Sequence, residues 1–268
     1  VAHTNYNRPT SFPLEPGSRR IRLDVSYDGA LFSGWQTQKG VRTVQHEIEK
    51  ALAKIIKEEV HVQGSGRTDA KVHALGQVAH FDTTNHSVPA QVFALALNQN
   101  LAKDIRIISS SEVSEQFHAR FTSTSREYHY YVKEIKDITP FDRHRVGVVR
   151  RFPSLELLNS YAQILLGIHD FTTFASAHDQ SHSKVRDIFT SEFSLTYDQW
   201  EKPLLIYKVC ANAFLMHQVR SMVGTMLQLG HNNEKSSELQ RRLESRRREE
   251  AGRTAEAQGL YLYRISYE

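Results

Sequence analysis

Asp69 is the carboxylate whose neighbours most suggest chemistry. It lies in Gly64-Ser65-Gly66-Arg67-Thr68-Asp69-Ala70-Lys71-Val72-His73. Gly64 and Gly66 let the backbone turn tightly or approach a ligand closely. Arg67 and Lys71 place a cation on each side of the acid, and a neighbouring guanidinium favours the ionised carboxylate. Such a turn presents a charged nucleophile or base. The bland alternative is a hairpin turn with a surface ion pair. Two phosphate-binding readings fail on spacing. A Walker loop ends in Gly-Lys-Ser/Thr, but Lys71 follows Ala70 and precedes Val72. The dinucleotide pattern needs a third glycine where Asp69 stands.

An RNA partner would give these groups work. Unstacked bases are read by stacking on aromatic side chains, and enzymes that act on a base flip it out. The run Thr124 to Ile135 is dense in aromatics, with Arg126, Tyr128, Tyr130 and Val132 on one side and Glu127, His129, Tyr131 and Lys133 on the other. Tyrosines are also common in strands simply because they pack there. Spacing alone leaves open whether Asp69, Tyr128 and the arginines meet.

The 14 histidines raise a metal site, and their spacing argues against one. His46-Glu47 lacks a second histidine at the zinc-protease spacing, and His178 and His182 stand in a polar stretch that reads as a loop. The single cysteine, Cys210, excludes an internal disulfide and a cysteine-rich zinc site.

The elements that must position these residues follow from periodicity. Ile21, Leu23, Val25 and Tyr27 alternate with polar residues as a half-buried strand, which ends at Asp28-Gly29. Ala30 to Gly40, with Phe32, Gly34 and Trp35, reads as a loop. Thr43 caps a helix to about Lys57, its apolar face Val44, Ile48, Leu52, Ile55 and Ile56. Strand-like runs at Val60 to Gln63 and Ala74 to Phe81 flank the Asp69 turn, followed by a helix over Pro89 to Leu97 and a strand over Ile105 to Val113. Past the tyrosine strand, the basic stretch Phe141 to Pro153 reads as a solvated loop, and Ser154 starts a helix. A hairpin over residues 187–197 and 203–213 turns at Asp198 to Lys202. A helix from Leu215 to Leu229, stopped by Gly230, carries Arg220 at the margin of its apolar stripe. A charged helix over Ser236 to Glu250 interleaves arginines with glutamates, which suits a solvated face, and Gly259 to Ile265 closes the chain as a strand. The mixture predicts an α+β fold of two similar lobes, a largely antiparallel sheet backed by helices and a cleft between the lobes. The lobes are expected at 19–118 and 119–268, with residues 1–18, rich in proline, as a disordered or appended tail.

The chain has 268 residues, 40% hydrophobic and 24% charged, which is enough to bury a core. A net charge of +4 permits a polyanionic partner without demanding one. No segment is apolar for long enough to span a bilayer, the first residues lack a signal-peptide core, and the chain begins with Val1 rather than Met.

Four blocks in order carry a family resemblance. Gly64 to Ala74 resembles the signature of the TruA-type tRNA pseudouridine synthases. Phe117-His118-Ala119-Arg120-Phe121, followed by Ser125-Arg126-Glu127-Tyr128-His129-Tyr130-Tyr131, is similar to their second block. Phe214 to Gly224 resembles the third, and Ala255 to Leu262 the C-terminal one. The resemblance implies the pseudouridine synthase fold and isomerisation of uridine at positions 38, 39 and 40 of the tRNA anticodon stem-loop, in the cytoplasm, by a homodimer without cofactor or metal. It implies that Asp69 is the catalytic carboxylate, attacking the ribose C1′ or taking a proton from the sugar. Tyr128 would stack on the flipped uracil and Arg220 would pair with Asp69. Arg67 would engage the RNA backbone or the flipped nucleotide, and Leu262 would wall the uracil pocket. Three positions depart from the family pattern: Lys71 stands where glycine is usual, His118 where Asp or Asn is usual, and Glu256 where Pro is frequent. A catalytically dead RNA-binding protein and a hydrolase using Asp69 are the rivals. The first has no reason to keep Asp69, Tyr128 and Arg220 together, and the second needs no aromatic platform.

Overall fold

The computed structural model describes residues 11–267, so part of the expected tail, residues 1–10, lies outside the described residues. The fold is α+β, with five α-helices and a mixed, largely antiparallel set of strands among the described residues. The chain divides into two compact units. Among the described residues, unit 1 comprises 11–70, 74–124 and 265–267, and unit 2 comprises 71–73 and 125–264.

Unit 1 is built on the strand order β4-β1-β3. β1 (Arg19–Tyr27) pairs antiparallel with β3 (His73–Thr83) and with β4 (Ile105–Val113). The two-residue β2 (Gln63–Gly64) adds to β3. The expected alternation is present: Ile21, Leu23 and Val25 are fully buried. Helix α1 (Val44–Ile56) buries Val44, Ile48, Leu52 and Ile56. Burying one such aliphatic side chain is worth about 1.5–3 kcal/mol, so this face and not helix propensity holds α1 in place. Thr43 takes the N-cap position, but its side chain makes no cap hydrogen bond and its Oγ1 is buried without a partner. Helix α2 (Val92–Asn100) begins later than expected and packs on β4, with Phe93 edge-on to Phe81 at 5.3 Å.

The opposite face of β1 carries a buried charge. Arg20 forms a two-bond pair with Asp82, at 2.7 and 2.8 Å, and donates to the carbonyls of Glu115 and Phe117. His80 and His118 lie beside it, their rings 4.7 Å apart. His118 Nδ1 accepts the N–H groups of Arg120 and Phe121, at 3.1 and 3.2 Å. His118 thus closes this turn in the way an Asp or Asn side chain closes one. His80 Nδ1 accepts from the Ala119 N–H at 3.2 Å.

Burial, then the neighbouring His118 and Arg20, lowers the His80 pKa to about 3. Burial, then Arg20 and Arg120, lowers that of His118 to about 4. Both folded values lie below the unfolded value, so the stability they contribute is complete above about pH 6.5 and is lost as the pH falls toward the folded values. Each unit of pH below 6.5 removes about 1.4 kcal/mol per histidine. Urea melts at pH 7.5 and pH 5.5 should therefore differ by roughly 2–3 kcal/mol, and His118→Asp should remove about half of that difference. An unchanged difference in this variant would show that His118 does not carry it.

Unit 2 follows the order β10-β5-β9-β8-β7. β5 (Ser123–Glu134) pairs antiparallel with β9 (Pro203–Ala211), and β9 with β8 (Val185–Tyr197). β7 (Gly167–Asp170) pairs with β8, and β10 (Leu260–Tyr267) lies on the other side of β5. Inside the stretch expected to be loop, β6 (Gly147–Val149) pairs parallel to β5. Lys133, 1% exposed, is enclosed by Asp142 and Asp198, which ties the β8–β9 turn to β5. Burial alone would lower its pKa, but the two carboxylates outweigh it and the ammonium is held above its ordinary value.

Helix α3 (Leu155–Ile164) is capped by Ser154, whose Oγ accepts the Leu157 N–H at 3.1 Å, and packs on β8. Helix α4 (Gln218–His231) runs through Gly230 instead of stopping there. A Cβ at Gly230 would lie 2.6 Å from the Pro153 ring, so this glycine serves close packing. Helix α5 (Ser236–Ser245) ends earlier than its charge pattern suggests, because Arg246 takes a left-handed conformation at φ 52°.

Candidate active site

The Asp69 turn is held within unit 1 from several sides. The Ser65 N–H donates to the Val78 carbonyl at 2.8 Å, continuing the β2–β3 pairing. Gln77, fully buried on β3, donates to the Gly66 carbonyl at 2.8 Å and accepts from the Gly66 N–H at 3.4 Å. The Trp35 N–H donates to the Thr68 carbonyl at 3.1 Å, and Tyr27 and Thr68 share a buried hydroxyl–hydroxyl bond of 2.7 Å.

Gly34 explains the fit. Its φ is +94°, and a Cβ there would lie 2.6 Å from the Thr68 oxygen and 3.2 Å from the Asp69 carbonyl carbon. A Cβ at Gly64 would lie 2.5 Å from the Trp35 ring. The loop that reads only as polar in the sequence is therefore the bed of the Asp69 turn. At the end of the turn Asp69 is half-buried, while Arg67 is exposed.

Lys71 is exposed and adopts φ +67°. Glycine takes that conformation without the penalty a side chain brings. An L-residue in that region is strained by about 1–2 kcal/mol.

Unit 2 carries the other expected residues. Tyr128 on β5 pairs with Val209, is 9% exposed and meets Phe214 edge-on at 5.2 Å. Arg220 lies in the first turn of α4 and is half-buried, its Nε donating to the Ala255 carbonyl at 2.9 Å. The Ala255 N–H returns a bond to the Arg220 carbonyl at 3.0 Å. The next residue, Glu256, accepts from the Tyr130 hydroxyl at 2.8 Å through its backbone oxygen, and burial pushes that phenol's pKa up. Residues 252–259 thus form a strap that joins α4 to β5 and orients Arg220. Glu256 works here through its backbone. Leu262 on β10 is fully buried.

A second clasp fixes the approach to α4. The Asp179 carboxylate accepts the Met216 N–H at 2.7 Å and pairs with Lys184, and the Ser176 N–H donates to the Met216 carbonyl at 2.9 Å. Burial opposes ionisation of Asp179, but Lys184 and the backbone donors outweigh it, holding its pKa at about 2. His178 and His182 on this loop are exposed. No group of three or more His, Cys, Asp or Glu side chains suited to a metal ion is present among the described residues. None of the described helices is long and apolar enough to cross a membrane.

The sequence reading missed Gly34, Gln77, Asp179 and Ala255 as supports of the site. Gly34 beside Trp35 in a short polar loop was the only local signal among them.

A model of the tRNA pseudouridine synthase family matches residues 25–122 and 161–268. A protein of Treponema denticola named tRNA pseudouridine synthase A is 43% identical over 259 residues, 95% of each chain. Proteins of the same name from an Exiguobacterium species and from Bacillus subtilis are 40% and 39% identical, each over 93% of this chain and 98% and 99% of their own. The matched residues include the Asp69 turn, the Arg220 helix and the strap. The chain belongs to the tRNA pseudouridine synthase family.

Proposed function

We propose that the chain is an isomerase that converts uridine to pseudouridine in tRNA, at positions 38, 39 and 40 of the anticodon stem-loop. The observation that carries this reading is the Arg67-Thr68-Asp69 turn, held by Gln77, Trp35 and Tyr27 with Asp69 at its half-buried end. Family membership and the shared name of the relatives support it.

The reaction breaks the bond from ribose C1′ to uracil N1, turns the base and joins C1′ to C5. The C5 proton leaves and N1 gains one, so the composition is unchanged and no redox partner is needed. In this reading Asp69 either attacks C1′ or takes a proton from the sugar. Tyr128 stacks on the uracil and assists removal of the C5 proton. Arg220 is assigned as the partner of Asp69; a guanidinium beside a partly desolvated carboxylate keeps it ionised and fixes its direction. Arg67 is assigned to the RNA backbone or the flipped nucleotide, and Leu262 to an apolar wall against the base. No cofactor or metal takes part. One unit carries the acid, and the other carries the tyrosine and the arginine. A cytoplasmic homodimer completes the proposal, and sizing chromatography with light scattering tests the dimer. A net charge of +4 requires a local basic surface for tRNA, so affinity should fall steeply with salt.

The decisive assay uses tRNA carrying tritium at uracil C5. Release of tritium matched mole for mole by pseudouridine supports the synthase, and tRNA binding without release would sink it. Tyr128→Leu should slow release by roughly a hundredfold, the scale of one acid–base contribution, with tRNA affinity within several-fold of wild type. A large loss of binding instead would make Tyr128 a packing residue.

A further inference from the structure

We propose that Gln77 is a positioning residue for the reaction: its carboxamide fixes Gly66 and thereby sets the place of Asp69. This rests on Asp69 being the reacting carboxylate. Gln77 is fully buried in the middle of β3, opposite Val25 of β1. A carboxamide there is costly to desolvate unless its polar atoms are matched, and an aliphatic residue would suit the strand better if packing were its only task. Its atoms are matched almost entirely by the turn. Nε2 donates to the Gly66 carbonyl at 2.8 Å, and Oε1 receives the Gly66 N–H at 3.4 Å and the Val78 N–H at 3.2 Å.

The turn is thus gripped through side chains at two points. Gln77 holds residue 66, and Tyr27, helped by the Trp35 N–H, holds residue 68. Ser65, between β2 and Gly66, adds no side-chain anchor, because its Oγ is buried without a partner. Asp69 follows directly, and a displacement of about 1 Å of a reacting group can lower a rate roughly a hundredfold. Loss of the Gln77 carboxamide would free Gly66 while leaving the Thr68 contacts in place. The turn could then pivot about residue 68.

Two full-length variants test this. Gln77→Met keeps length and volume but removes both hydrogen-bonding atoms. It should lower kcat for tritium release by about 10- to 100-fold with KM for tRNA within threefold, and speed amide hydrogen exchange at residues 65–67. Gln77→Glu supplies a chemical switch. The carboxylate can accept from the Gly66 and Val78 N–H groups but cannot donate to the Gly66 carbonyl, whereas the protonated acid can do both. The activity of Gln77→Glu relative to wild type should therefore rise at least about fivefold from pH 8 to pH 6, since burial raises a carboxyl pKa. A purely structural role would change melting temperature without giving this rising ratio. A Gln77→Met kcat within threefold of wild type, a change confined to KM, or a flat Gln77→Glu ratio would each overturn the proposal. If Gln77→Met does not fold, the Gln77→Glu ratio decides alone. Wild-type protein that releases no tritium would refute the synthase reading and this role with it; active wild type beside fully active Gln77→Met would refute only this role.

Discussion

Asp69→Asn should lose at least a thousandfold in tritium release, roughly 4 kcal/mol of transition-state stabilisation. The amide keeps the size of the carboxylate and one acceptor oxygen, so the bed of Gly34, Trp35 and Gln77 has no reason to rearrange. What disappears is the negative charge, and with it the ability to bond to C1′ or to take a sugar proton. Removing a group on which the reaction depends costs far more than removing a binding contact. The sign of the binding effect is also set. A carboxylate repels RNA phosphates, so the neutral variant should bind tRNA as tightly as wild type, or slightly more tightly at low salt. Filter binding at two salt concentrations beside the tritium assay checks both halves. Residual turnover within tenfold, or tRNA affinity weakened more than tenfold, would remove Asp69 from its assigned role. Asp69→Glu separates charge from position: the charge remains while the oxygens move out by one methylene, and a loss of about a hundredfold is expected.

Gly224→Ala should be strongly destabilising. In an isolated helix this change would help, since glycine is about 1 kcal/mol worse than alanine there. Here a Cβ would lie 1.8 Å from the Arg253 carbonyl oxygen and 3.0 Å from the Ala255 nitrogen. Both obstacles are backbone, so no side chain can swing aside. Either α4 or the strap must shift, and each route strains the paired bonds between Arg220 and Ala255. Overpacking of this kind costs about 3 kcal/mol, or more when backbone must move. At 2–4 °C per kcal/mol, the melting temperature should drop by about 6 °C or more. Turnover should fall as well, because Arg220 loses the carbonyl that orients it. An unchanged or raised melting temperature would show that the strap does not lie against α4 as drawn.

The parts of the fold legible in the sequence were those with a local period. β1, β4, β5 and the β8–β9 hairpin follow from alternation, and α1 from its apolar face. Errors arose where a distant contact overrode a local signal. Gly230 reads as a helix stop, yet Pro153 occupies the space its missing side chain leaves, and α4 continues. Thr43 reads as a cap and stands at the N-cap position, but its hydroxyl makes no bond. The short β6 was hidden because Gly147–Val149 is too brief for a period to show, and its pairing with β5 is the evidence for it.

The site divides in the same way. Asp69, Tyr128 and Arg220 stand in blocks dense enough to be noticed in the sequence. Their supports do not, because Gly34 meets the Asp69 turn across more than thirty residues and Ala255 meets Arg220 across 35. Lys71, at a position where the family pattern usually has glycine, takes φ +67°, a conformation that glycine reaches more readily than lysine.

The strap and the strand after it also set an order of events during synthesis. Arg220 has its orienting carbonyl only once Ala255 has been made, and Tyr130 its acceptor only once Glu256 has. Unit 1 waits longer still, because the Tyr267 hydroxyl donates to the Ala119 carbonyl at 2.6 Å and the Arg22 guanidinium lies over the Tyr267 ring. A ribosome that stalled before residue 255 would leave a chain with every side chain assigned to the chemistry except Leu262, yet with neither unit finished. Such a product would hold Asp69, Tyr128 and Arg220 without the carbonyl that orients Arg220 or the one that accepts from Tyr130.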